Sequence, residues 1–228
     1  MKPRIIFITG TDTGVGKTVL TGLLLHHLIQ EEINVGVLKP FCSGGRDDAI
    51  QLAGVMGDPN SLDRINPYHF ELPLTPLVAA RMQQQRIEFD DCLKRIEEVA
   101  NACDVLLIEG AGGLLSPLGE DYDALSFIRE IKAQTVLVAP NRLGVLNQVF
   151  LNLNVLHSEG CAPASVILMT PDEPDDSIES NASLIRERAF EPQVHEVPFL
   201  GANPLTEAGR KESYEKTKKT LAAIMGRP

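Results

Sequence analysis

Cysteine is sparse in this 228-residue chain, and Cys42, Cys92, Cys103 and Cys161 are scattered with no C-x-x-C pair among them. Such spacing argues against a disulfide framework and fits free thiols in a reducing cytosol. No apolar run approaches the length of a membrane span, and nothing ahead of Arg4 resembles a signal peptide, so a soluble cytoplasmic protein is expected. Basic charge is also in deficit. The formal net charge of −10 repels phosphate backbones and argues against a nucleic-acid surface. The five histidines show no metal-ligand spacing, and no serine lies in a nucleophile-elbow sequence. Internal repeats and low-complexity linkers are absent too, and the length suits one domain with one sizeable core.

What is present begins at Ile5. A short apolar run, Ile5 to Ile8, breaks into the glycine-rich stretch Gly10-Thr11-Asp12-Thr13-Gly14-Val15-Gly16-Lys17-Thr18, and an apolar periodic segment follows at once. This is the pattern of a phosphate-binding loop between a buried strand and a helix. Glycines let backbone N–H groups face an anion, the helix N-terminus adds its dipole, and Lys17 reaches terminal phosphates. Thr18 supplies a hydroxyl where a phosphate-bound Mg²⁺ needs a ligand. Gly10 and Gly16 are separated by five residues rather than the usual four. The loop is read as a nucleotide site.

Apolar strands then alternate with helical periodicity. Helices are expected over 17–31, 47–56, 88–101, 123–132, 144–157, 177–190 and 207–224, and strands over 35–38, 105–108, 136–138 and 166–168, with an irregular proline-rich stretch from Asn66 to Pro76. Continuous apolar strands between helices imply an α/β fold, a mainly parallel sheet with helices on both faces, P-loop NTPase-like and single-domain. Ligands in such sheets bind at the carboxyl ends of the strands. At those ends stand Lys39 with Ser43, after the strand at 35–38, and Glu109-Gly110-Ala111-Gly112-Gly113, after the strand at 105–108. Lys39 and Lys17 on one rim would stabilise charge on a transferring phosphoryl group, and an acid at position 109 suits a metal ligand or water-positioning group. Asp47 and Asp48 open a helix, where acids are favoured by the dipole in any case; one of them also suits a third oxygen ligand.

Taken with these segments, Asn66-Pro67-Tyr68-His69-Phe70, Pro73-Leu74-Thr75-Pro76, Leu143 to Asn147 and Val197 to Leu200 resemble the dethiobiotin synthetase family over most of the chain, in order. The resemblance implies an ATP- and Mg²⁺-dependent cyclo-ligase of biotin biosynthesis acting on 7,8-diaminopelargonate and CO₂ (bicarbonate) through a carbamic–phosphoric anhydride. It implies catalytic roles for Lys39 and Lys17. ATP contacts are expected from Gly14, Val15, Gly16, Lys17, Thr18 and Val19, from Asp48, from Glu109, Gly110, Ala111 and Gly112, and from Pro198, Phe199 and Leu200. Thr18, Asp48 and Glu109 match metal ligands. Thr13 and Ser43 match substrate contacts. The family is homodimeric, and the match at Val145, Leu146 and Asn147 implies backbone N–H groups that receive the substrate carboxylate across the interface.

One departure stands out. The family often carries an Asn-Asp pair after the strand matching 166–168, whereas this chain runs Met169-Thr170-Pro171-Asp172, so relaxed base selectivity is expected. A rival reading is a nucleotide switch of the partitioning or division-site type. Those proteins carry a signature lysine where this chain has Asp12, and usually an aspartate where it has Glu109. Amidating ligases related to the cobyrinate enzymes need a glutamine-hydrolysing domain for which the chain has no room.

Overall fold

The computed structural model describes every residue except Met1, Ala162, Ala164, Phe190, Glu191, Arg227 and Pro228. Its elements run β1 (Arg4–Gly10), α1 (Lys17–Gln30), β2 (Val35–Leu38), β3 (Phe41–Ser43), α2 (Asp47–Met56), a 3₁₀ turn at Pro59–Ser61, α3 (Leu62–Ile65), β4 (Tyr68–Phe70) and α4 (Pro76–Met82). They continue through α5 (Phe89–Ala100), β5 (Val105–Glu109), α6 (Ala124–Ile131), β6 (Gln134–Pro140), α7 (Val145–Ser158), β7 (Ser165–Met169), α8 (Ile178–Arg188), β8 (Gln193–Val197) and α9 (Glu207–Met225).

Six strands form one parallel sheet in the order β2-β5-β1-β6-β7-β8. Successive side chains on a strand point to opposite faces, so the apolar runs supply two cores at once. On one face Ile6, Ile8, Leu107, Val136 and Val138 pack with Leu20, Leu23 and Leu24 of α1 and with Leu221 and Ile224 of α9. On the other, Phe7, Leu106 and Ile108 pack with Ile96 of α5 and with Phe127 and Ile128 of α6. A third cluster joins Leu137, Val166 and Leu168 to Val149 of α7 and Ile185 of α8. Each fully buried side chain of this size contributes roughly 1.5–3 kcal/mol.

The expected fold class is the one observed, and the expected helices and strands are present with ends shifted by a residue or two. The helix expected over 177–190 is observed as Ile178–Arg188, and Phe190 lies outside the described residues. Two features depart from expectation. The proline-rich stretch holds β4, which pairs in parallel with β3 as a separate two-stranded sheet, and it is followed by α4. β8 closes the far edge of the main sheet beside β7. Its sequence, Gln193-Val194-His195-Glu196-Val197, buries only Val194 and Val197, so an apolar-run criterion passes over it.

No helix among the described residues is long and apolar enough to cross a membrane.

Candidate active site

The strand order explains why residues so far apart in sequence meet. β5 lies between β2 and β1, with Leu38 level with Ile108 and Ile8 level with Glu109. Lys39 therefore leaves its strand beside Glu109, and both open toward the loop that follows β1. That loop ends at Gly16, the residue capping α1 with φ of 97°. A side chain there would be strained by the left-handed backbone, and its Cβ would lie 3.0 Å from Met169 Cγ. Glycine is thus required at the point where Lys17 and Thr18 begin the helix.

An open cleft of about 660 Å³ sits on this rim, lined by Thr13, Gly14, Gly16, Lys17, Thr18 and Val19 from the loop and α1. Lys39, Ser43, Asp48, Glu109, Ala111 and Gly112 line it as well. At its floor the Lys39 ammonium lies 2.5 Å from Glu109 Oε1 and 3.1 Å from Asp48 Oδ2, and it donates to the Gly110 carbonyl at 3.2 Å. Thr18 Oγ1 donates to the same Glu109 oxygen at 2.9 Å. Lys17 Nζ donates to the Asp12 carbonyl at 2.8 Å.

The two lysines are poised differently. Burial works against the Lys39 ammonium, but Glu109 and Asp48 outweigh it and hold its pKa above the ordinary lysine value. Lys17 is lowered to about 8, first by burial and then by the positive charge of Lys39. Burial alone would raise the Asp48 carboxyl; Lys39 reverses this and keeps it below the usual range. The Cys42 thiol, also in the cleft wall, is pushed up to about 11 by burial, which leaves it an inert lining group rather than a nucleophile.

Glu109 is fully buried, yet its Oε2 has no hydrogen-bond partner. A buried carboxyl oxygen left without a partner is costly, and a metal cation is one partner that would relieve it. Glu109, Asp48 and the Thr18 hydroxyl are hard oxygen donors of the kind Mg²⁺ takes. Among the described residues no cluster of three or more His, Cys, Asp or Glu could hold a metal by itself. A cation here would therefore complete its shell with phosphate oxygens and water, which is how Mg²⁺ is commonly held beside a nucleotide. The Ser43 hydroxyl is likewise buried without a partner at the cleft wall.

Behind the loop a second recess of about 190 Å³ is lined by Gly14, Val15, Gly16 and Val19, with Met169, Thr170, Pro171, Pro198, Phe199 and Leu200 opposite. Its wall is largely apolar and carries no amide side chain. Gly110, expected to contact ATP, does not line the cleft; its carbonyl accepts from Lys39. Val145, Leu146 and Asn147 stand apart, in the first turn of α7 after Gly144, and line neither the cleft nor the recess. Asp47 does not line the cleft, whereas Asp48 does. Gln51 also faces the cleft and was not anticipated, although its position three residues after Asp48 on α2 puts both on one helix face. Phe41, Ser116 and the Pro73-Leu74-Thr75-Pro76 turn complete the wall.

A glycine-rich anion loop at a helix start, two lysines and an acidic strand end on the carboxyl rim of a parallel sheet define a P-loop nucleotide-binding α/β protein. The solved MinC:MinD cell division complex from Aquifex aeolicus matches this fold with a TM-score of 0.64 at 15% identity, over 99% of this chain and 97% of that one. A nucleotide-binding protein in complex with ADP from Archaeoglobus fulgidus matches with a TM-score of 0.52 at 16% identity, over 92% and 88%. In sequence, residues 4–211 match the family described as AAA domain. The ATP-dependent dethiobiotin synthetase BioD of Bacillus subtilis is 33% identical over 88% of this chain and 87% of its own length. That of Methanocaldococcus jannaschii is 35% identical over 72% and 78%, and that of Idiomarina loihiensis 33% identical over 85% and 92%. The chain belongs to the ATP-dependent dethiobiotin synthetase family.

Proposed function

We propose that this protein is an ATP-dependent ligase that closes the ureido ring of dethiobiotin from 7,8-diaminopelargonate and CO₂, working with Mg²⁺ as a cytoplasmic homodimer. One observation carries the reading: Lys17, Thr18, Lys39, Asp48 and Glu109, drawn from four separate segments, converge on a single cleft. A protein that merely held a nucleotide would have no need of a second buried lysine bridging two carboxylates.

The loop amides from Gly14 to Val19 and the Lys17 ammonium bind the phosphate chain, and the recess at Pro198 to Leu200 takes the base. Thr13 and Ser43 hold the diamine, with the unpartnered Ser43 hydroxyl free to accept or donate. One amine adds to CO₂ and loses a proton, giving a carbamate. A carbamate oxygen attacks the γ-phosphorus, the bond to the β-phosphate oxygen breaks, and ADP leaves. The second amine then attacks the carbamoyl carbon, the C–O bond to phosphate breaks, and the ring closes with loss of phosphate and a proton. Lys39 and Lys17 act on the middle step, where negative charge accumulates on the equatorial phosphoryl oxygens and a fixed ammonium in a dry site acts most strongly. Thr18, Asp48, Glu109, Ala111 and Gly112 form the wall facing the terminal phosphates, with the Gly110 carbonyl holding Lys39 behind it. When bound, Mg²⁺ held by Thr18, Asp48 and Glu109 would neutralise phosphate charge and template the in-line geometry.

Dimerisation is supported by two exposed apolar residues, Leu143 just before α7 and Leu151 midway along it. A partner covering them would bring its Leu146 and Asn147 amides, at a helix N-terminus, toward a substrate carboxylate, while the Val145 N–H already donates to the Arg142 carbonyl at 3.1 Å. Asp12 in the loop counts against the nucleotide-switch alternative. The test is a coupled assay of ADP release. Turnover should require both 7,8-diaminopelargonate and bicarbonate; turnover indifferent to the diamine but raised by DNA or lipid vesicles would overturn the reading.

A further inference from the structure

The Lys39–Asp48 contact joins the end of β2 to the first turn of α2, and something must hold those two segments at 3.1 Å. Asn66 and Arg46 do so from behind the cleft, which neither residue lines. Asn66 is 1% exposed, and its side-chain amide donates to the Lys39 carbonyl at 2.8 Å and to the Pro40 and Tyr68 carbonyls at 3.3 Å. Its Oδ1 accepts from Arg46 Nε at 3.0 Å. Arg46 is the residue immediately before α2, and its own carbonyl accepts from Ile50 N at 2.8 Å, inside the first helical turn. The guanidinium commits its remaining nitrogens to the same side: Nη2 donates to the Leu62 and Asn66 carbonyls, and Nη1 pairs with Asp63 at 2.8 Å. Lys39 N in turn donates to the Ile65 carbonyl at 2.8 Å.

Both ends of the lysine–carboxylate contact therefore hang on one clasp. We propose that Arg46 and Asn66 are positioning residues that set the Asp48 carboxylate against Lys39 and the metal–phosphate site. The chemistry rests on the function proposed above; the geometry does not. A planar fork with fixed donors suits this task, because a lysine donates from one point and cannot reach Asn66, Leu62 and Asp63 together.

The experiment measures Mn²⁺ binding to the full chain saturated with the non-hydrolysable ATP analogue AMPPNP, by electron paramagnetic resonance, in wild type, Arg46→Met, Asp48→Asn and the double variant. Arg46→Met should weaken Mn²⁺ binding roughly tenfold, the size of effect seen when the partner of a metal ligand is removed. In the Asp48→Asn background the same change should alter it by less than about twofold, since the group being positioned is gone. Equal weakening in both backgrounds, which is what a general structural role gives, would overturn the inference. So would Asp48→Asn leaving Mn²⁺ affinity untouched. If Arg46→Met does not fold, Arg46→Lys answers the question: several-fold weaker binding that disappears in Asp48→Asn supports the clasp, and wild-type affinity refutes it. Diamine-dependent ADP release by the wild type is recorded alongside. Its absence would sink the dethiobiotin synthetase reading while the Mn²⁺ cycle still judged the clasp.

Discussion

Replacing Lys39 by methionine should separate stability from catalysis in a way the geometry makes quantitative. Lys39 is 4% exposed, and its ammonium faces Glu109, which is fully buried, and Asp48. Removing one partner of a buried ion pair leaves the other uncompensated and costs about 3–5 kcal/mol. For a domain of this size that is a fall in melting temperature of roughly 6–20 °C, at about 2–4 °C per kcal/mol. The pKa of Lys39 is raised in the folded state, so its contribution is complete below the ordinary lysine value and fades only as pH climbs past that value. Asp48 is lowered, so its share is present above the ordinary aspartate value and is lost as pH falls through it. The stability gap between wild type and variant should accordingly be flat from about pH 6 to about pH 9 and narrow below about pH 4. Millimolar Mg²⁺ without nucleotide should restore part of it, because the Glu109, Asp48 and Thr18 oxygens would then have lost their resident cation. ADP release should drop by about 10²-fold or more, the loss typical of removing one fixed donor from a developing charge, and Mg²⁺ should not restore it. The assays are differential scanning fluorimetry and single-turnover ADP release at matched folded fraction. A variant that melts with the wild type and turns over within twofold of it would refute the reasoning.

Four further outcomes are expected. Nucleotide binding should take up protons at pH 8, where the free protein's Lys17, lowered to about 8, is about half protonated and an adjacent phosphate favours its charged form; calorimetry in buffers of different ionisation enthalpy reads this, and zero uptake would refute it. The kcat/KM values for ATP, CTP and GTP should agree within about tenfold, since the recess at Met169 to Pro171 and Pro198 to Leu200 has no amide side chain to read a base edge; a thousandfold preference for ATP would contradict this. Leu24→Ala, at a fully buried position between α1 and the sheet, should destabilise by about 2–5 kcal/mol in urea unfolding without changing KM for ATP. The proposed dimer predicts that dilution to monomer, followed by sedimentation and activity together, abolishes ring closure; full activity in the monomer would refute the proposed role of Val145 to Asn147.

Much of this protein is legible in one dimension. The loop from Gly10 to Thr18 announces itself because anion binding by backbone needs glycines at fixed places, and because a buried strand and an apolar helix flank it. The apolar runs at 105–108, 136–138 and 166–168 could be read as strands because a parallel sheet covered on both faces tolerates no polar alternation. Where a strand buries only one side chain on each face the same criterion fails, and β8, with Val194 in one cluster and Val197 in another, was invisible for that reason, as was the short parallel pairing of β3 with β4, whose three-residue strands carry no period at all. Lys39 and Glu109 could be named as strand-end residues, but their partnership could not. It follows from β5 lying between β2 and β1, a non-local arrangement that no local pattern records. Asp48 and Asp47 were equivalent as helix-opening acids until the first turn of α2 turned one of them toward Lys39. Arg46, in turn, is an ordinary polar residue in sequence; only the fold lays α3 under β2 and lets its guanidinium tie the start of α2 to α3 and its capping residue Asn66. Local chemistry thus specified which groups this chain carries, and the strand order specified which of them stand together, because distances set by sheet topology are properties of the whole chain rather than of any stretch of it.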